Sequence, residues 1–354
     1  MTPRQPLSAA SRGRFFRRIP SLTLTELHLH IEGSLPLGSA IEMAAMRNHR
    51  WGMLSVPQLR KSLRFESLDD FLSSVREMCT VIASSEGLQR TARELSLFLA
   101  AHRVLYAEVY CSPYIYVRWG MDYHDALGSM DRGFEEGEAL GGASCRILLD
   151  TVRQWGPEAA DVVLGKYLEN PIPRVVGFGI GGAEFIDLAE FAPVVTHARK
   201  AGLRVTTHAG ESGGVEDVWK AIDVLKVDRI AHGIRSVDDP LLLRTLAERR
   251  IPLDLAITSN YRTASVRGKH PVRQLLDAGI VVTLSTDDPA LFRTDPEREW
   301  RRVVRFGGLF PEETLQITRD SIEVSFAPEP IKAVLRSELA SRVSTADFES
   351  LETM

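Results

Sequence analysis

Two histidines separated by a single residue, His28 and His30, are the first side chains of the chain that could bind a metal ion. They lie in a run of β-forming residues, 23–31, and alternate residues of a strand project from the same face, so both imidazoles can reach one ion. A strand with two structural histidines is at least as common, and the pair alone does not distinguish the two cases. A metal site therefore requires further ligands elsewhere in the chain.

Other side chains suited to metal binding or proton transfer stand at the ends of later β-forming runs. His208 and His232 each close such a run, and Asp287 and Asp288 directly follow another. The first two histidines together with His208 and Asp287 would give nitrogen and oxygen ligands and leave one position for water. Any one of these residues could be structural, but that explanation must hold independently for each of them. The pattern therefore predicts one metal site.

Two other kinds of metal site are disfavoured by what the sequence lacks. A two-metal hydrolase would usually need a bridging lysine or a similar group near the end of the fourth β-forming run, where residues 178–182 read FGIGG. The cysteines Cys79, Cys111 and Cys145 are widely spaced and form no CxxC pair, which argues against a cysteine zinc site and a disulfide framework. The HxE and PCxxC motifs of cytidine-deaminase-type enzymes are also absent. We expect one metal ion per chain, and zinc, iron and manganese can all share such a site.

The elements that must position these residues alternate between β-forming runs and amphipathic helical patterns, which is typical of a parallel α/β architecture. The runs are 23–31, 104–112, 144–152, 174–180, 203–209, 228–234, 251–257 and 280–286. Eight such units predict a closed (β/α)8 TIM barrel, in which the C-terminal ends of the strands converge on the face that holds active sites. The candidate residues would meet on that face.

The long stretch 34–100 between the first two runs predicts a helical insertion over the mouth of the barrel, with helical patterns at 68–82 and 86–100. Within it, Phe65 and Phe71, together with Leu68, could form an apolar lid that excludes water from a site below. Ordinary core packing explains the same helical spacing and is favoured.

Composition narrows the class of protein. A hydrophobic fraction of 44%, with 25% charged residues and a net charge of -4, is ordinary for a soluble globular protein and gives no reason to expect nucleic-acid or membrane binding. Unpaired cysteines favour a reducing cytoplasm. Residues 1–22 are arginine-rich, contain no acid and lack the apolar segment of a secretory signal, so we interpret them as a flexible basic extension. One domain, 23–354, follows, and its oligomeric state stays open.

The motifs at the strand ends, taken together, resemble those of the adenosine deaminase family within the amidohydrolase superfamily. They read HLHIEG from His28, GIGGAE from Gly179, HAGE from His208, AHG from Ala231 and TDDP from Thr286, over about residues 24–330. The resemblance implies a deaminase that removes the 6-amino group of an adenine nucleoside. It also implies the zinc ligands His28, His30, His208 and Asp287, of which the aspartate would take part in catalysis as well.

The same resemblance implies how the purine would be held. Glu211 would lie beside N1, His232 beside the attacking water, Asp288 beside N7 and the backbone of Gly182 beside N3. Glu184, which completes the GIGGAE motif, would belong to the same substrate site.

Elementary chemistry agrees with these roles. Zinc lowers the pKa of bound water to about 7, and His232 can orient that water and take its proton. Attack at C6 pushes electron density onto N1, so Glu211 has to be protonated there, which requires burial without a cationic partner. The tetrahedral intermediate then expels ammonia. A solvated acid at a helix start is the ordinary alternative for Glu211, disfavoured by its place three residues after His208.

The sequence departs from the adenosine deaminase pattern at Glu32, where the family usually has an aspartate near the 5′-hydroxyl of the ribose. Adenine deaminases often carry Glu at that place, but they usually have a Ser-rich segment where residues 181–184 read GGAE. That segment most resembles the branch that deaminates aminodeoxyfutalosine in menaquinone synthesis, a nucleoside with an enlarged 5′ end. We expect this substrate, with adenosine and adenine as the alternatives.

Two further hypotheses belong to other classes of protein. One is a purine-binding protein without activity on the same scaffold, and the other is a different metal hydrolase such as an amidase. Inactive relatives usually lose a ligand or the acid, whereas all of these positions are filled here, and an amidase should lack the glutamate of HAGE. The enzyme is favoured.

Overall fold

Eight strands form one parallel sheet in which each strand pairs with the next one along the chain. They are β1 Thr25–His30, β2 Tyr106–Cys111, β3 Ser144–Val152, β4 Val175–Gly181, β5 Arg204–Ala209, β6 Arg229–His232, β7 Leu253–Leu255 and β8 Val282–Leu284. The sheet closes just after β8, because the Asp287 amide donates to the His28 carbonyl (3.1 Å) and the His30 amide donates to the Asp287 carbonyl (2.9 Å). The predicted (β/α)8 barrel is confirmed, and every strand overlaps its predicted run.

This computed structural model describes residues 22–343. The predicted basic extension, apart from its last residue, therefore lies outside the described residues. Within the described range, none of the helices is both long and apolar enough to span a membrane.

Helices surround the barrel and connect its strands. The α-helices of the described residues are α1 Leu37–Met46, α2 Val56–Ser62, α3 Leu68–Ile82, α4 Ser85–Ala101, α5 Pro113–Val117, α6 Tyr123–Ala139, α7 Gly156–Glu169, α8 Ala192–Lys200, α9 Val215–Lys220, α10 Pro240–Arg249, α11 Ile257–Arg262, α12 Val272–Asp277, α13 Pro289–Phe292, α14 Pro296–Gly307, α15 Pro311–Val324 and α16 Glu329–Arg342. Single turns of 3₁₀-helix occupy Ile31–Gly33, Arg50–Met53, Arg153–Trp155, Leu188–Phe191 and Ile234–Asp238, and a π-turn occupies Ala221–Leu225.

Local sequence signals explain where several helices begin and end. Ser67 accepts a hydrogen bond from the Asp70 amide (3.2 Å) at the start of α3, and Ser84 accepts one from the Gly87 amide (3.1 Å) at the start of α4. Gly202 has a φ of 85° just after α8, in the left-handed region that ends helices. The chain turns there directly into β5, whose far end carries a candidate site residue.

The insertion between β1 and β2 contains the two helices that its sequence predicts, but they have different surroundings. Helix α3 lies at the mouth of the barrel and contributes side chains to the cavity described below. Helix α4 packs along α6 instead, at a distance so short that a Cβ added at Gly133 would stand 2.2 Å from the carbonyl oxygen of Gln89. Only the first of the two helices therefore covers the mouth.

A buried ion cluster inside the barrel stiffens the strands beneath the candidate site. Arg229 is fully buried and forms ion pairs with Glu108 (2.7 Å) and Asp254 (2.9 Å). Thr283 donates a further hydrogen bond to Asp254 (2.7 Å). Removing one partner would leave an uncompensated charge in the interior, at a cost of about 3–5 kcal/mol. Strands β2, β6, β7 and β8 are thereby fixed relative to one another.

Candidate active site

Four side chains predicted as metal ligands converge at the C-terminal end of the barrel. Nε2 of His208 lies 3.1 Å from Nε2 of His28 and 3.1 Å from Nε2 of His30. Oδ1 of Asp287 lies 3.6 Å from each of the latter two nitrogens. Around a tetrahedral Zn²⁺, ligand atoms at about 2.0–2.2 Å from the ion stand about 3.3–3.6 Å apart. The four distances between donor atoms, two of 3.1 Å and two of 3.6 Å, lie close to this range.

The contacts of Nδ1 in two of these rings indicate which nitrogen is protonated. Nδ1 of His208 lies 3.2 Å from the carbonyl oxygen of Ile180, and Nδ1 of His28 lies 3.4 Å from that of Asp254. Because a carbonyl oxygen only accepts, each Nδ1 carries the proton of the neutral ring and each Nε2 presents a lone pair. Lone pairs that face one another at 3.1 Å repel unless a cation lies between them. The residues present therefore fit a divalent metal ion.

Two of the strand-end residues adopt backbone conformations that are rare for their types. His232 and Asp287 both have a φ of 64°, in the left-handed region. Such conformations cost about 1–3 kcal/mol each and persist where the surroundings impose them, typically at functional sites. They turn both side chains towards the same point above the barrel.

His232 and Glu211 face each other beside the cluster, with 3.5 Å between Nε2 of the histidine and Oε2 of the glutamate. Burial raises the pKa of Glu211 to about 8, with the charge of Asp287 acting in the same direction. Burial lowers the pKa of His232 to about 3. At neutral pH the glutamate is a protonated acid and the histidine a neutral base, which is the combination that acid–base catalysis needs.

A histidine and an asparagine that sequence reasoning did not assign hold the His232 ring. The amide nitrogen of Asn260 lies 3.1 Å from Nδ1 of His232, and its oxygen lies 3.0 Å from Nε2 of His270. All three side chains are buried. The polar pair Ser259–Asn260 stands just after the seventh β-forming run, and this position was the signal that could have identified Asn260. Nothing in the sequence singles out His270.

The converging residues line a cavity of about 500 Å³ that opens at the mouth of the barrel. Among the residues predicted to contact substrate, Glu32, Asp288 and Gly182 line it. Burial raises the pKa of Glu32 to about 8, while burial and then Asp287 raise that of Asp288 well above its usual range. Both carboxyls can therefore donate a hydrogen bond to a ligand.

Two close approaches require glycine beside this cavity. A Cβ at Gly33 would stand 1.8 Å from Oδ1 of Asp288, and a Cβ at Gly182 would stand 2.1 Å from Oε1 of Gln154. Gly182 also has a φ of 97°. The glycines of the first and fourth motifs thus leave room for the side chains that line the cavity, and Gly182 exposes its backbone there.

Asp150, at the end of β3, is a cavity residue that the sequence analysis did not identify. Its Oδ2 accepts a hydrogen bond from the hydroxyl of Ser112 (2.6 Å), whereas its buried Oδ1 has no hydrogen-bond partner among the described residues. Burial raises the pKa of Asp150 to about 7. A carboxylate inside an apolar strand, close to its C-terminal end, was the signal that could have revealed it.

Glu184 is placed differently from the other candidates, because it is not among the residues that line the cavity. Its carboxylate accepts hydrogen bonds from the backbone amides of Glu211 (3.2 Å), Ser212 (3.1 Å) and Gly213. It therefore fixes the turn that carries Glu211 and does not face the cavity itself.

The aromatic part of the insertion closes one side of the cavity. Phe71 and Leu68 of α3 line it, while Phe65 lies behind them. The Phe71 ring stacks on Phe292 with 4.4 Å between centroids, and Phe65 meets Phe71 edge-on at 5.4 Å. A packed aromatic cluster thus forms one wall of the cavity, as core packing predicts, and the exclusion of water by these residues stays a prediction.

Comparisons with known proteins agree with this geometry. Residues 23–342 match the adenosine deaminase family. The chain is 32% identical to an aminodeoxyfutalosine deaminase of Streptomyces avermitilis over 91% of both proteins. It is 31% identical to an adenine deaminase of Ralstonia nicotianae, over 90% of this chain and 94% of that protein.

One similar protein of known structure contains a bound metal ion. An amidohydrolase from Burkholderia ambifaria with bound zinc is 25% identical, with a TM-score of 0.86 over 100% of this chain and 97% of that one. Its zinc accords with the histidine cluster, in which two groups of donor atoms could hold an ion, His28, His208 and His232 or His28, His30 and Asp287. The chain belongs to the adenosine deaminase family of the amidohydrolase superfamily and is a deaminase of adenine- or adenosine-type substrates.

Proposed function

We propose that the protein binds one Zn²⁺ through His28, His30, His208 and Asp287 and hydrolyses the 6-amino group of an adenine nucleoside to a 6-oxo group. The observation that carries this proposal is the pairing of a protonated carboxyl, Glu211, with a neutral imidazole beside the donor cluster. A bound Zn²⁺ supplies Lewis acidity that makes water a nucleophile near neutral pH.

The protein's own residues then move the protons. Nε2 of His232 accepts the proton of the attacking water, which requires Nδ1 to carry the other proton and Asn260 to turn its amide oxygen towards it. Nε2 of His270 must then accept from the Asn260 amide, so its proton moves to Nδ1 and the hydrogen bond from the Val272 amide is lost. Glu211 gives its proton to N1 as density builds on the ring. His232 returns a proton to the departing amine while the new C6 hydroxyl gives its proton to the Glu211 carboxylate, so that ammonia leaves, the 6-oxo group forms and the acid is restored.

The purine ring is positioned by groups on two other sides. Asp288, kept protonated by burial, donates to N7, and the amide of Gly182 donates to N3. Leu68 and Phe71 cover the ring and exclude water, which strengthens each of these polar contacts. Glu184 acts through the backbone that it holds and is a positioning residue for Glu211.

We further propose that the substrate has an extended 5′ end, and aminodeoxyfutalosine of menaquinone synthesis is the candidate. Glu32 and Asp150 lie in the cavity with raised pKa values and can hydrogen-bond the sugar side of a nucleoside. The cavity is also lined by Trp155 and by two exposed arginines, Arg76 and Arg118, which mark its outer part. Neither arginine forms an ion pair among the described residues. The Arg118 guanidinium lies 4.7 Å from the centroid of the Trp155 ring.

This outer part of the cavity would stay unfilled with adenosine and more so with adenine. Relatives named for aminodeoxyfutalosine and for adenine are about equally similar to this chain, at 32% and 31% identity, so sequence similarity does not choose between them. The buried carboxyls of Glu32 and Asp150 favour a nucleoside over adenine, because buried polar groups left without a partner cost free energy. Arg76 and Arg118 are exposed, and they favour the larger ligand through the contacts that they offer to its 5′ end.

A side-by-side measurement of kcat/KM on aminodeoxyfutalosine, adenosine and adenine tests the substrate. We expect aminodeoxyfutalosine to be best, adenosine to be weaker by ~10–200-fold and adenine to be poorest. The variant Arg118→Gln should lose activity on aminodeoxyfutalosine but not on adenosine, and Arg132→Gln on α6 serves as the control with the same loss of charge. If adenosine or adenine gave the highest kcat/KM, the assignment of the 5′ end would be wrong while the deaminase chemistry stood.

A further inference from the structure

A second cavity, of about 640 Å³, lies beside the active site and shares no lining residue with it. Among the described residues it contains no cluster of acids and histidines of the kind that catalysis needs. Helices α11 and α13 both contribute to its lining, α11 through Thr258 and Arg262 and α13 through Pro289, Ala290 and Phe292. We call it the arginine cavity, after the residues that define it, Arg60, Arg262, Arg293, Arg298 and Arg302.

Few ion pairs compensate the positive charge of the arginine cavity. Among the described residues no aspartate or glutamate lines it, although the carboxylate of Glu299 lies behind the lining residues Thr258 and Thr294 and interacts with the charge of Arg302. Arg298 pairs with Asp295 (3.0 Å), but within residues 22–343 the other four arginines of the cavity form no ion pair. Lys61 and Arg64 add two more cations at its edge. This concentration stands out in a chain whose net charge is -4.

The arginines perturb one another. Burial, followed by the charges of Arg293, Arg302 and Arg64, lowers the pKa of Arg262 to about 10. Nε of Arg262 is buried and has no hydrogen-bond partner among the described residues. Like charges held together in this way oppose folding unless a counter-ion binds between them. The arrangement therefore indicates a site for an anion that carries several charges.

The cations come from both sides of the boundary between the insertion and the barrel. Arg60 lies on α2 of the insertion, whereas Arg262, Arg293 and Arg302 lie on segments that follow β7 and β8. Two of them already tie the halves together through backbone carbonyls, since Arg262 donates to Leu63 (2.9 Å) and Arg293 donates to Arg60 (3.1 Å). An anion bound between the side chains would add a bridge across the same boundary.

We propose that the arginine cavity binds a multiply charged phosphate anion of nucleotide size. Guanidinium groups match phosphate oxygens in pairs of parallel hydrogen bonds, and the cavity volume is that of a site for a small organic ligand. Apolar residues, among them Leu37, Val56 and Phe292, also line the cavity and can accommodate an uncharged part of the ligand. The phosphates therefore sit on the arginines and the remainder of the molecule against this wall.

Isothermal titration calorimetry on the full chain tests the proposal with two probes, inorganic tripolyphosphate and UTP, a nucleotide without the purine that the active site would take. We expect saturable binding of tripolyphosphate at low salt that weakens as salt is added. Tighter binding of UTP would identify a nucleotide as the ligand, and equal affinity would identify the phosphate chain alone as sufficient.

Matched variants locate the site. Arg60→Gln and Arg302→Gln, one from each side, should each weaken binding about tenfold, the scale of a hydrogen bond to a charged group. Arg244→Gln, on an exposed part of α10 away from the cavity, removes the same charge and should leave the affinity unchanged. Deaminase activity of each variant without the anion reports that it is folded.

Three results would overturn the proposal. They are the absence of saturable tripolyphosphate binding at low salt, an equal loss of affinity in Arg244→Gln, and displacement of the anion by a purine nucleoside, which would place it in the active site.

Discussion

The hydroxyl groups beside Glu211 offer a way to change its acidity without touching a proposed ligand or the acid itself. Ser265 Oγ lies 3.1 Å from Oε1 of Glu211, and Thr263 Oγ1 lies at the same distance. A hydrogen bond donated to a carboxylate stabilises the charged form and lowers the pKa. Replacing Ser265 by alanine removes one donor, so the pKa of Glu211, already raised to about 8, should rise further.

The size of this effect follows from the hydrogen bonds. A bond to a charged group contributes about 1.5–3 kcal/mol, and one pKa unit corresponds to about 1.4 kcal/mol. Thr263 also contacts the Ser259 carbonyl (3.0 Å) and can turn its single proton to Glu211 once Ser265 is gone, which reduces the change. We therefore expect Ser265→Ala to raise the pKa of Glu211 by about 1 unit.

The assay is the pH dependence of kcat/KM, which reports groups of the free enzyme. Because Glu211 acts as an acid, activity is present below its pKa and falls as the pH rises through about 8. In Ser265→Ala the alkaline limb, which is the decline of kcat/KM at high pH, should shift to higher pH by about 1 pH unit. At pH 9 the variant should therefore retain about five times the relative activity of the parent.

Ser212→Ala is the control, because the Ser212 side chain is exposed and makes no hydrogen bond to Glu211 among the described residues. Its alkaline limb should coincide with that of the parent protein. If the limb of Ser265→Ala stayed in place or moved to lower pH, Glu211 would not be the acid that sets it.

Four other predictions concern single residues. His208→Ala should abolish both bound metal and turnover, measured by metal analysis and ammonia release, and unchanged metal content would remove it from the ligand set. Glu211→Gln should slow the chemical step by about 10²–10⁴-fold in a single-turnover assay while the metal stays bound. Glu184→Gln should lower kcat with unchanged metal content, since a neutral amide holds the backbone of the turn less firmly, and an effect on KM alone would contradict this role. Gly33→Ala should displace Asp288, whose Oδ1 would lie 1.8 Å from the new Cβ, and raise KM at least about tenfold with metal retained.

Much of the barrel could be predicted from the sequence because each strand and several helix ends are specified by residues adjacent in the chain. Each strand is a short β-forming run bounded by turn residues, and Gly202 and Ser67 mark helix ends by their own chemistry. Candidate ligands such as His208 were identified for the same reason, since a polar residue at the end of an apolar strand is visible in the sequence alone. Both helices predicted in the insertion, at 68–82 and 86–100, are present, but α1 and α2 were not predicted. The packing of α4 against α6 depends on distant residues that no local pattern reports.

The residues that the sequence did not reveal are those whose roles arise from contacts between distant segments. Glu184 was expected at the substrate because its motif lies at a strand end, yet three backbone amides, 27 to 29 residues further along the chain, take up its carboxylate. Asp150 lies in a run that reads as an ordinary strand, and only the approach of Ser112 and the cavity give it a distinct environment. The arginine cavity is the extreme case, because Arg60 and Arg302 stand in different elements and each resembles an ordinary surface cation. The cluster of positive charge exists only in the folded structure, where the insertion meets the barrel. A test of anion binding in the cavity is therefore also a test of a contact between the insertion and the barrel.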